Sequence, residues 1–411
     1  MPRTHQNRLA KAALALAMLS QNAAHAQTGN AAPRVWQLNG PAQAGAKLEA
    51  VSGIGTAVYE EDGALSFPVG EGNWLVSVEL GSNKAAANTT IKAENRRLML
   101  LEARTQRGER LVKRFVVHVH HADLGPVPDN APGAAHVRLR PDQASQRNWD
   151  HALTLEMLGS PALRQVTIEP AHGPTLFLVG DSMVADHPRE PTASWGQMLP
   201  AMLDANIAVA NYAESGATLK SFLADLRLDK ALSLMKAGDY LFIQFGHNDQ
   251  KVQWPQTYAE AGTTYRAYLA AYIAEARRKG ATPVLVTSPE RRNFDAQGHI
   301  VPSLGDYPQT MRTLGAELHV PVIDLNRASI TLYEALGPDK APDMFNDGGK
   351  DRTHYNNWGA WMAARIIADA IRAALPALAP HLTVPRFDPA HPQAITIPAS
   401  KASSSQRPLG N

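Results

Sequence analysis

Cysteine is absent from all 411 residues of the chain. This absence excludes a cysteine nucleophile, thiolate metal ligands and disulfides, so the fold must depend on its apolar core. An excess of one charge is also lacking, because 40 Lys and Arg nearly balance 38 Asp and Glu to give a formal net charge of +2. Nucleic-acid binders normally carry a basic face or stripe. We therefore expect no nucleic-acid partner.

Long apolar runs are missing beyond the N-terminus. Residues 1–26 have the pattern of a secretory signal peptide, with a basic start, an apolar segment at 12–19 and Ala24-His25-Ala26 before the cleavage point. That apolar segment is shorter than the roughly 20 residues that a membrane-spanning helix needs. We expect export to the periplasm or the medium, with cleavage before Gln27 and no membrane attachment afterwards.

The first half of the chain has the pattern of an antiparallel β protein. Between residues 35 and 168, short alternating stretches such as 74–80 and 114–119 are separated by turn formers at 70–73 and 126–133. Period-two segments about ten residues apart indicate a sandwich of two sheets. We assign residues 27–170 to a β-sandwich domain of galactose-binding-like type.

The second half has the pattern of an α/β domain. Helical patterns at 264–278 and 357–374 alternate with apolar runs typical of buried parallel strands, at 175–179, 207–210, 240–244, 282–287 and 320–324. This alternation predicts a three-layer α/β domain with a mainly parallel sheet, over residues 171–380. Residues 381–411 form a predicted tail whose polar, Ser-rich end, from Lys401, we expect to be disordered.

Histidines occur close together at 118, 120 and 121. On a strand, His118 and His120 would point to the same face, as two ligands of a metal site do. Apart from Asp123, no further ligand is evident nearby. We therefore favour an exposed sheet face over a metal site here.

Four polar blocks follow predicted strands or precede the last helix. They are Gly180-Asp181-Ser182, the glycine Gly216 that ends the segment 211–216, Gly246-His247-Asn248-Asp249 and Asp351-Arg352-Thr353-His354. Ligands of open α/β sheets bind beyond the carboxyl ends of the strands. The blocks are therefore candidates for one shared site.

These residue types fit acyl transfer. Ser182 needs a base to take its proton, and His354 needs a carboxylate such as Asp351 to orient it. The oxyanion needs donors already in place, which the N–H groups of Ser182 and Gly216 and the side-chain amide of Asn248 can supply. Asp181 is expected to cap a following helix, and Asp249 to accept hydrogen bonds within its loop.

In these four blocks and their order, the chain resembles the SGNH (GDSL-type) hydrolases. The resemblance implies a flavodoxin-like sheet, Ser182 as nucleophile with His354 and Asp351, and Ser182, Gly216 and Asn248 as the oxyanion hole. It also implies ester hydrolysis without a metal or an organic cofactor. We therefore expect neither.

Within that superfamily the chain looks most like rhamnogalacturonan acetylesterases, through segments 177–186, 242–249 and 351–354, with an overlap of roughly residues 174–376. This likeness implies an acetylated plant polysaccharide, such as pectin, as substrate. Met183 departs from the small polar residue expected there and could alter the pocket beside the nucleophile. Bacterial relatives often carry an added β-rich domain, which either binds polysaccharide or acts as a spacer.

Further residues are candidates for substrate binding. Trp195 and Tyr355 could stack on sugar rings, although large aromatics more often lie in a core or domain interface. His247 could bind substrate or order its loop. Arg352 could pair with a galacturonate carboxylate, as could Arg291 and Arg292, or lie on a solvated surface.

Two rival functions remain open at this point. One is a lipolytic or thioesterase-type enzyme of the same superfamily, which would have an apolar pocket for a longer acyl chain. The other is a non-catalytic polysaccharide-binding protein with a relic site. The sequence indicates neither the polymer nor the oligomeric state.

Overall fold

The computed structural model describes residues 32–38 and 44–401, and antiparallel strands build the first half of that part. Alternating side chains along these strands are buried, as in β5, where Trp74, Val76, Val78 and Leu80 face inwards. The strands are β1 Arg34–Gln37, β2 Lys47–Glu49, β3 Thr56–Tyr59, β4 Leu65–Pro68, β5 Gly72–Leu80, β6 Ala87–Ala93, β7 Arg97–Thr105, β8 Leu111–Val119, β9 Ala152–Ser160 and β10 Leu163–Pro170.

These strands form two antiparallel sheets that share one core. One sheet has the order β1-β10-β5-β8 and the other β2-β3-β4-β9-β6-β7. Trp36, Val76 and Val166 of the first sheet and Phe67 and Leu153 of the second belong to the same buried cluster. Within the described residues up to 170, called the β-rich region below, helical structure amounts to a single short turn at Arg147–Trp149.

Residues 174–401, called the α/β region below, contain a fully parallel sheet. Its order is β12-β11-β13-β14-β15, with strands β11 Thr175–Gly180, β12 Ala208–Asn211, β13 Tyr240–Gln244, β14 Thr282–Val286 and β15 Val322–Ile323. β11, β13 and β14 are flanked by a strand on each side, and β11 is buried along its whole length. The predicted parallel sheet is confirmed.

Helices cover both faces of this sheet. They are α1 Trp195–Met198, α2 Leu219–Ala224, α3 Arg227–Leu234, α4 Arg266–Arg278, α5 Tyr307–Leu318, α6 Leu325–Lys340 and α7 Asn357–Ala374. Leu176 and Leu178 of β11 pack in a cluster with α1, α6 and α7. Phe177 and Val179, which point the other way, pack with α2 to α5. The helix predicted at 357–374 is α7, and that predicted at 264–278 is α4 with part of the π-helical turn before it.

The two regions pack together at the edge of the parallel sheet. His118 lies on β8 with 3% exposure, 3.0 Å from the Tyr212 hydroxyl through Nε2, and His120 stacks on the same tyrosine. Burial, with nearby cationic groups such as Arg97 adding to it, lowers the pKa of both histidines well below its ordinary value. The expected exposed sheet face is therefore wrong, because this face is buried against the α/β region.

The chain after α7 returns across both regions. Ile397 is buried, the N–H of Ser400 donates to Glu190, and the N–H of Lys401 donates to Glu156 of β9. The predicted signal peptide (1–26) and the residues after Lys401 lie outside the described residues. No helix within 32–38 and 44–401 has the length and apolar character needed to cross a bilayer.

Candidate active site

Ser182 lies in a tight turn at the carboxyl end of β11. The N–H groups of Val184 and Ala185 donate to the Asp181 carbonyl at 3.0 Å, and that of Met183 donates to Asp181 Oδ1 at 2.9 Å. No helix follows directly, since α1 starts only at Trp195. The expected helix cap is therefore wrong, and Asp181 stabilises the turn that carries Ser182.

Gly180 allows this turn to fold back on the sheet. A β-carbon at this position would lie 2.6 Å from Cγ2 of Val184 and 2.7 Å from the carbonyl oxygen of Gln244. Both distances are too short for a side chain. Met183, by contrast, is 1% exposed and packs in the core shared with α7, so it does not line the pocket beside Ser182.

Ser182, His354 and Asp351 form a continuous hydrogen-bonded chain. Oγ of Ser182 lies 3.0 Å from Nε2 of His354, and Nδ1 of the same ring lies 2.8 Å from Oδ2 of Asp351. An imidazole that donates from Nδ1 to a carboxylate leaves Nε2 free to accept the serine proton. The geometry is that of a nucleophile, a base and an orienting acid.

The loop before α7 brings the acid and the base together. Oδ1 of Asp351 accepts from the N–H groups of Thr353 at 2.7 Å and His354 at 2.9 Å. Asn356 caps α7 by accepting from the N–H of Trp358, which fixes where the loop ends. Burial opposes ionisation of Asp351, but the hydrogen bonds and charge of His354 outweigh it and lower the pKa of Asp351 to about 2.

A loop after β12 brings Gly216 towards Ser182. The N–H of Glu214 donates to the Gly180 carbonyl at 3.0 Å, which ties this loop to the end of β11. Gly216 has a φ of +78°, in the left-handed region that glycine adopts without strain. The N–H groups of Ser182 and Gly216 have no hydrogen-bond partner among the residues that the structure describes. Both are therefore available to an oxyanion.

Asn248 lies beside the same loop. Its Nδ2 donates to the Ala217 carbonyl at 3.1 Å, and its Oδ1 accepts from Lys251 Nζ at 2.9 Å. Because the oxygen is occupied by a lysine, the orientation of the amide is fixed, and the second Nδ2 hydrogen can serve another acceptor. Lys251 is not among the residues predicted from the sequence, although its i+3 position after Asn248 is a usable signal.

Asp249 acts as the predicted structural acceptor. Its two oxygens accept from the N–H groups of Leu219 and Gly246 at 2.9 and 3.0 Å, so it joins the start of α2 to the Asn248 loop. The side chain is fully buried, and burial raises the pKa of Asp249 to about 7 despite these bonds.

Three of the residues proposed to bind substrate lie in the interior. Trp195 and Tyr355 are 0% exposed, and their polar atoms bond to Gln244 and Tyr333, respectively. His247 is 3% exposed and its Nε2 faces the Pro289 carbonyl at 2.9 Å. The expectation that these three contact substrate is therefore wrong, because core packing and loop ordering account for them.

Arg352 is the predicted contact residue that remains accessible. It is exposed, next to Asp351, and its Nη1 lies 3.4 Å from Asn293 Oδ1. Its neighbour Arg292 instead holds the triad loop, by donating from Nη2 to the carbonyls of Gly349 and Asp351. Sequence alone does not separate these two roles, because both residues are arginines and they differ only in what packs around them.

His187 is a further residue that the sequence analysis missed. Its Nε2 lies 2.7 Å from the Ser182 carbonyl, and burial lowers its pKa to about 3, which keeps the ring neutral. It therefore stabilises the turn that carries Ser182 through the backbone carbonyl of that residue. Across residues 32–38 and 44–401, no group of three or more His, Asp or Glu side chains is arranged to hold a metal ion.

Comparison with known proteins places the chain in a family. The model of the GDSL-like lipase/acylhydrolase family matches residues 178–362. The chain is 41% identical over 209 residues to the rhamnogalacturonan acetylesterase RhgT of Bacillus subtilis (strain 168). The aligned segment covers 48% of this chain and 88% of RhgT.

Solved structures also align with the chain. The crystal structure of protein YxiM from Bacillus subtilis covers 83% of this chain and 88% of its own, with a TM-score of 0.47 and 22% identity. An acetylxylan esterase from Geobacillus stearothermophilus covers 50% of this chain and 95% of its own, with a TM-score of 0.39 and 17% identity. On the match to the family model and the identity to RhgT, the chain belongs to the GDSL-like lipase/acylhydrolase family, whose members are esterases.

Proposed function

We propose that this protein removes acetyl groups from an acidic plant cell-wall polysaccharide by a Ser-His-Asp acyl-enzyme mechanism. The observation that carries the proposal is the hydrogen-bonded chain from Ser182 through His354 to Asp351, with three donors beside it. The name of the 41% identical relative, a rhamnogalacturonan acetylesterase, supports both the acetyl group and the polymer.

The acylation step follows from the hydrogen bonds. Oγ of Ser182 attacks the acetyl carbonyl carbon while its proton moves to Nε2 of His354. The charge on the carbonyl oxygen is stabilised by the N–H groups of Ser182 and Gly216 and by Nδ2 of Asn248. The intermediate then expels the sugar oxygen, which takes the proton from His354, and leaves acetyl-Ser182.

Deacylation repeats these steps with water in place of the serine hydroxyl. Water gives a proton to His354 as its oxygen attacks the acetyl carbon, and a second oxyanion forms in the same position. Its collapse breaks the bond to Oγ of Ser182, which recovers its proton from His354, and acetic acid leaves and ionises to acetate in water. Asp351 stays ionised throughout, because its pKa is lowered to about 2.

Cationic side chains around the triad favour an anionic polymer. Arg352 is exposed beside Asp351, Arg291 donates to the His247 carbonyl, and Lys251 contacts Asn248. Glu290, next to Arg291 in the chain, is 3% exposed, and its carboxylate accepts hydrogen bonds from Ser303 and Asn326. Galacturonate units would supply the matching carboxylates.

The substrate is tested by measuring acetate release from acetylated rhamnogalacturonan, homogalacturonan and xylan, with Ser182→Ala as control. We expect the two galacturonate polymers to be preferred over xylan. A preference for long-chain acyl esters or thioesters would instead support a lipolytic or thioesterase-type enzyme. If no ester is hydrolysed, the result would instead support a non-catalytic polysaccharide-binding protein.

The contribution of charge is tested with Arg352→Ala. We expect KM for the acidic polymer to rise about 5-fold, which corresponds to roughly 1 kcal/mol, the upper range for an exposed ion pair. KM for 4-nitrophenyl acetate should not change. The control is Arg278→Ala, which removes the same charge from the exposed end of α4. Equal effects of both variants would contradict a specific contact.

Export is part of the proposal. The pattern of residues 1–26 supports cleavage before Gln27. N-terminal sequencing of protein recovered from the culture medium or periplasm is expected to start at or near Gln27, and a start at Met1 would contradict it.

A further inference from the structure

A segment of the β-rich region reaches the loop that carries Gly216. After β8 the chain crosses to the α/β region, where Nη2 of Arg140 donates to the Ser215 carbonyl at 2.5 Å. Nη1 of the same guanidinium lies 3.1 Å from Oε1 of Glu214. A β-carbon built on Gly216 would lie 3.2 Å from Nη2, so the guanidinium is in close contact with the backbone of this loop.

The carbonyl that Arg140 contacts belongs to the peptide unit of the oxyanion donor. The Ser215 C=O and the Gly216 N–H are the two ends of one planar peptide group and point in opposite directions. A donor fixed on the oxygen therefore fixes the direction of the N–H. A charged donor also polarises the peptide group, which strengthens the N–H as a donor.

Arg140 can hold this peptide because the loop beneath it is anchored. The Glu214 carboxylate is 6% exposed and also pairs with Arg227 at 2.9 Å. Gln143, three residues after Arg140, donates to the same carboxylate and accepts from Nη2 of Arg227 at 2.6 Å. The β-rich region therefore supplies two side chains to a buried cluster below the loop.

The peptide needs such support because glycine follows it. Gly216 has a φ of +78°, and glycine populates positive and negative φ about equally, so the preceding peptide can rotate at low cost. An oxyanion donor is effective only when it is oriented before the reaction. A contact on the Ser215 oxygen meets this requirement without occupying the N–H.

We propose that Arg140 is a positioning residue of the esterase site, which orients and polarises the Ser215–Gly216 peptide for the oxyanion. The inference rests on the proposed function, because it assumes that Gly216 donates to the tetrahedral intermediate. It makes the β-rich region part of the catalytic machinery rather than a detachable binding module or a spacer.

The test compares Arg140→Ala, Arg140→Lys and the control Arg147→Ala in the full chain. Arg147 lies on the same segment and pairs with Asp62 at 2.9 Å inside the β-rich region. The values of kcat and KM for 4-nitrophenyl acetate and the unfolding temperature are measured for each.

Arg140→Ala is expected to lower kcat about 10- to 100-fold with KM within 2-fold, a smaller loss than the 10²–10³ for removing an oxyanion donor. Arg140→Lys should recover part of kcat, because it restores a charged donor, and Arg147→Ala should keep kcat within 2-fold.

A wild-type kcat in folded Arg140→Ala would overturn the inference, as would a loss confined to KM. If Arg140→Ala does not fold, Arg140→Lys decides: a reduced kcat at unchanged KM supports the inference, and a wild-type kcat overturns it. Failure of the proposed function is distinguishable, since wild type would then hydrolyse no ester, or folded Ser182→Ala would retain activity, whatever the Arg140 variants do.

Discussion

Arg97 of the β-rich region and Asp186, four residues after Ser182, form a buried ion pair with 2.5 Å between Nε and Oδ2. Asn148 donates to the same Oδ2 at 3.0 Å, and Asn211 donates to Oδ1 at 2.7 Å. Arg97 also donates from Nη1 to the His118 carbonyl. The segment that follows Ser182 is therefore held by side chains from both regions.

Loss of one partner of this pair leaves an uncompensated buried charge. Arg97→Ala is expected to lower the free energy of unfolding by about 3–5 kcal/mol, the usual cost of breaking a buried pair. Urea unfolding measures the change. Arg104→Ala is the control, because Arg104 lies on the same strand and its pair with Glu102 is exposed. That variant should lose less than about 1 kcal/mol, and similar losses in both would contradict the role of burial.

Asn248→Ala removes the side-chain donor that we propose for the oxyanion hole. We expect kcat to fall about 10²–10³-fold with little change in KM, because the oxyanion exists only in the transition state and intermediates. Steady-state kinetics on 4-nitrophenyl acetate measures both constants. A loss below about 3-fold would show that the two backbone N–H groups suffice.

The lowered pKa of Asp351 makes the stability of the protein depend on pH. Its pKa is about 2 in the folded protein against an ordinary 3.8, so the unfolded chain binds the proton first. The stabilisation is present above about pH 4 and is lost as the pH falls towards 2. Asp351→Ala lacks this contribution.

The measurement is urea unfolding of wild type and Asp351→Ala at pH 5, 3 and 2. The difference in stability between the two proteins is expected to shrink as the pH falls through this window. A constant or growing difference would contradict the lowered pKa of Asp351.

Gly180→Ala tests the turn behind Ser182. The added methyl group would meet Val184 and the Gln244 carbonyl at 2.6 and 2.7 Å, so the backbone must shift. We expect a loss of about 1–3 kcal/mol in stability, typical of overpacking, together with a lower kcat as Ser182 moves away from His354. Gly262→Ala is the control, since its methyl group would meet its nearest atom, on Glu260, at an ordinary 3.7 Å. Unchanged kcat in Gly180→Ala would contradict the account of this turn.

The residues proposed for the triad and the oxyanion hole could be picked out from the sequence because each lies in a short local pattern. Ser182, Gly216 and Asn248 follow apolar runs within six residues, and Asp351 and His354 precede a clear helix. Parallel strands place such positions at one edge of a sheet. The structure brings Ser182, His354 and Asp351 together by hydrogen bonds and leaves the predicted donors beside them.

Contacts between the two regions could not be predicted in this way. Arg97 and Asp186 are 89 positions apart, and Arg140 and Ser215 are 75 apart, with no pattern linking either pair. The aromatic residues Trp195 and Tyr355 failed as predicted sugar contacts for a related reason. An aromatic side chain with a polar atom suits a binding cleft or a core, and only its packing distinguishes the two.

The most direct test of the central claim is acetate release from acetylated rhamnogalacturonan by wild type and Ser182→Ala, with folding of both checked by thermal unfolding. We expect wild type to release acetate and the folded variant to lose several orders of magnitude in kcat. Retained acetate release by folded Ser182→Ala would contradict the assignment of Ser182 as the nucleophile.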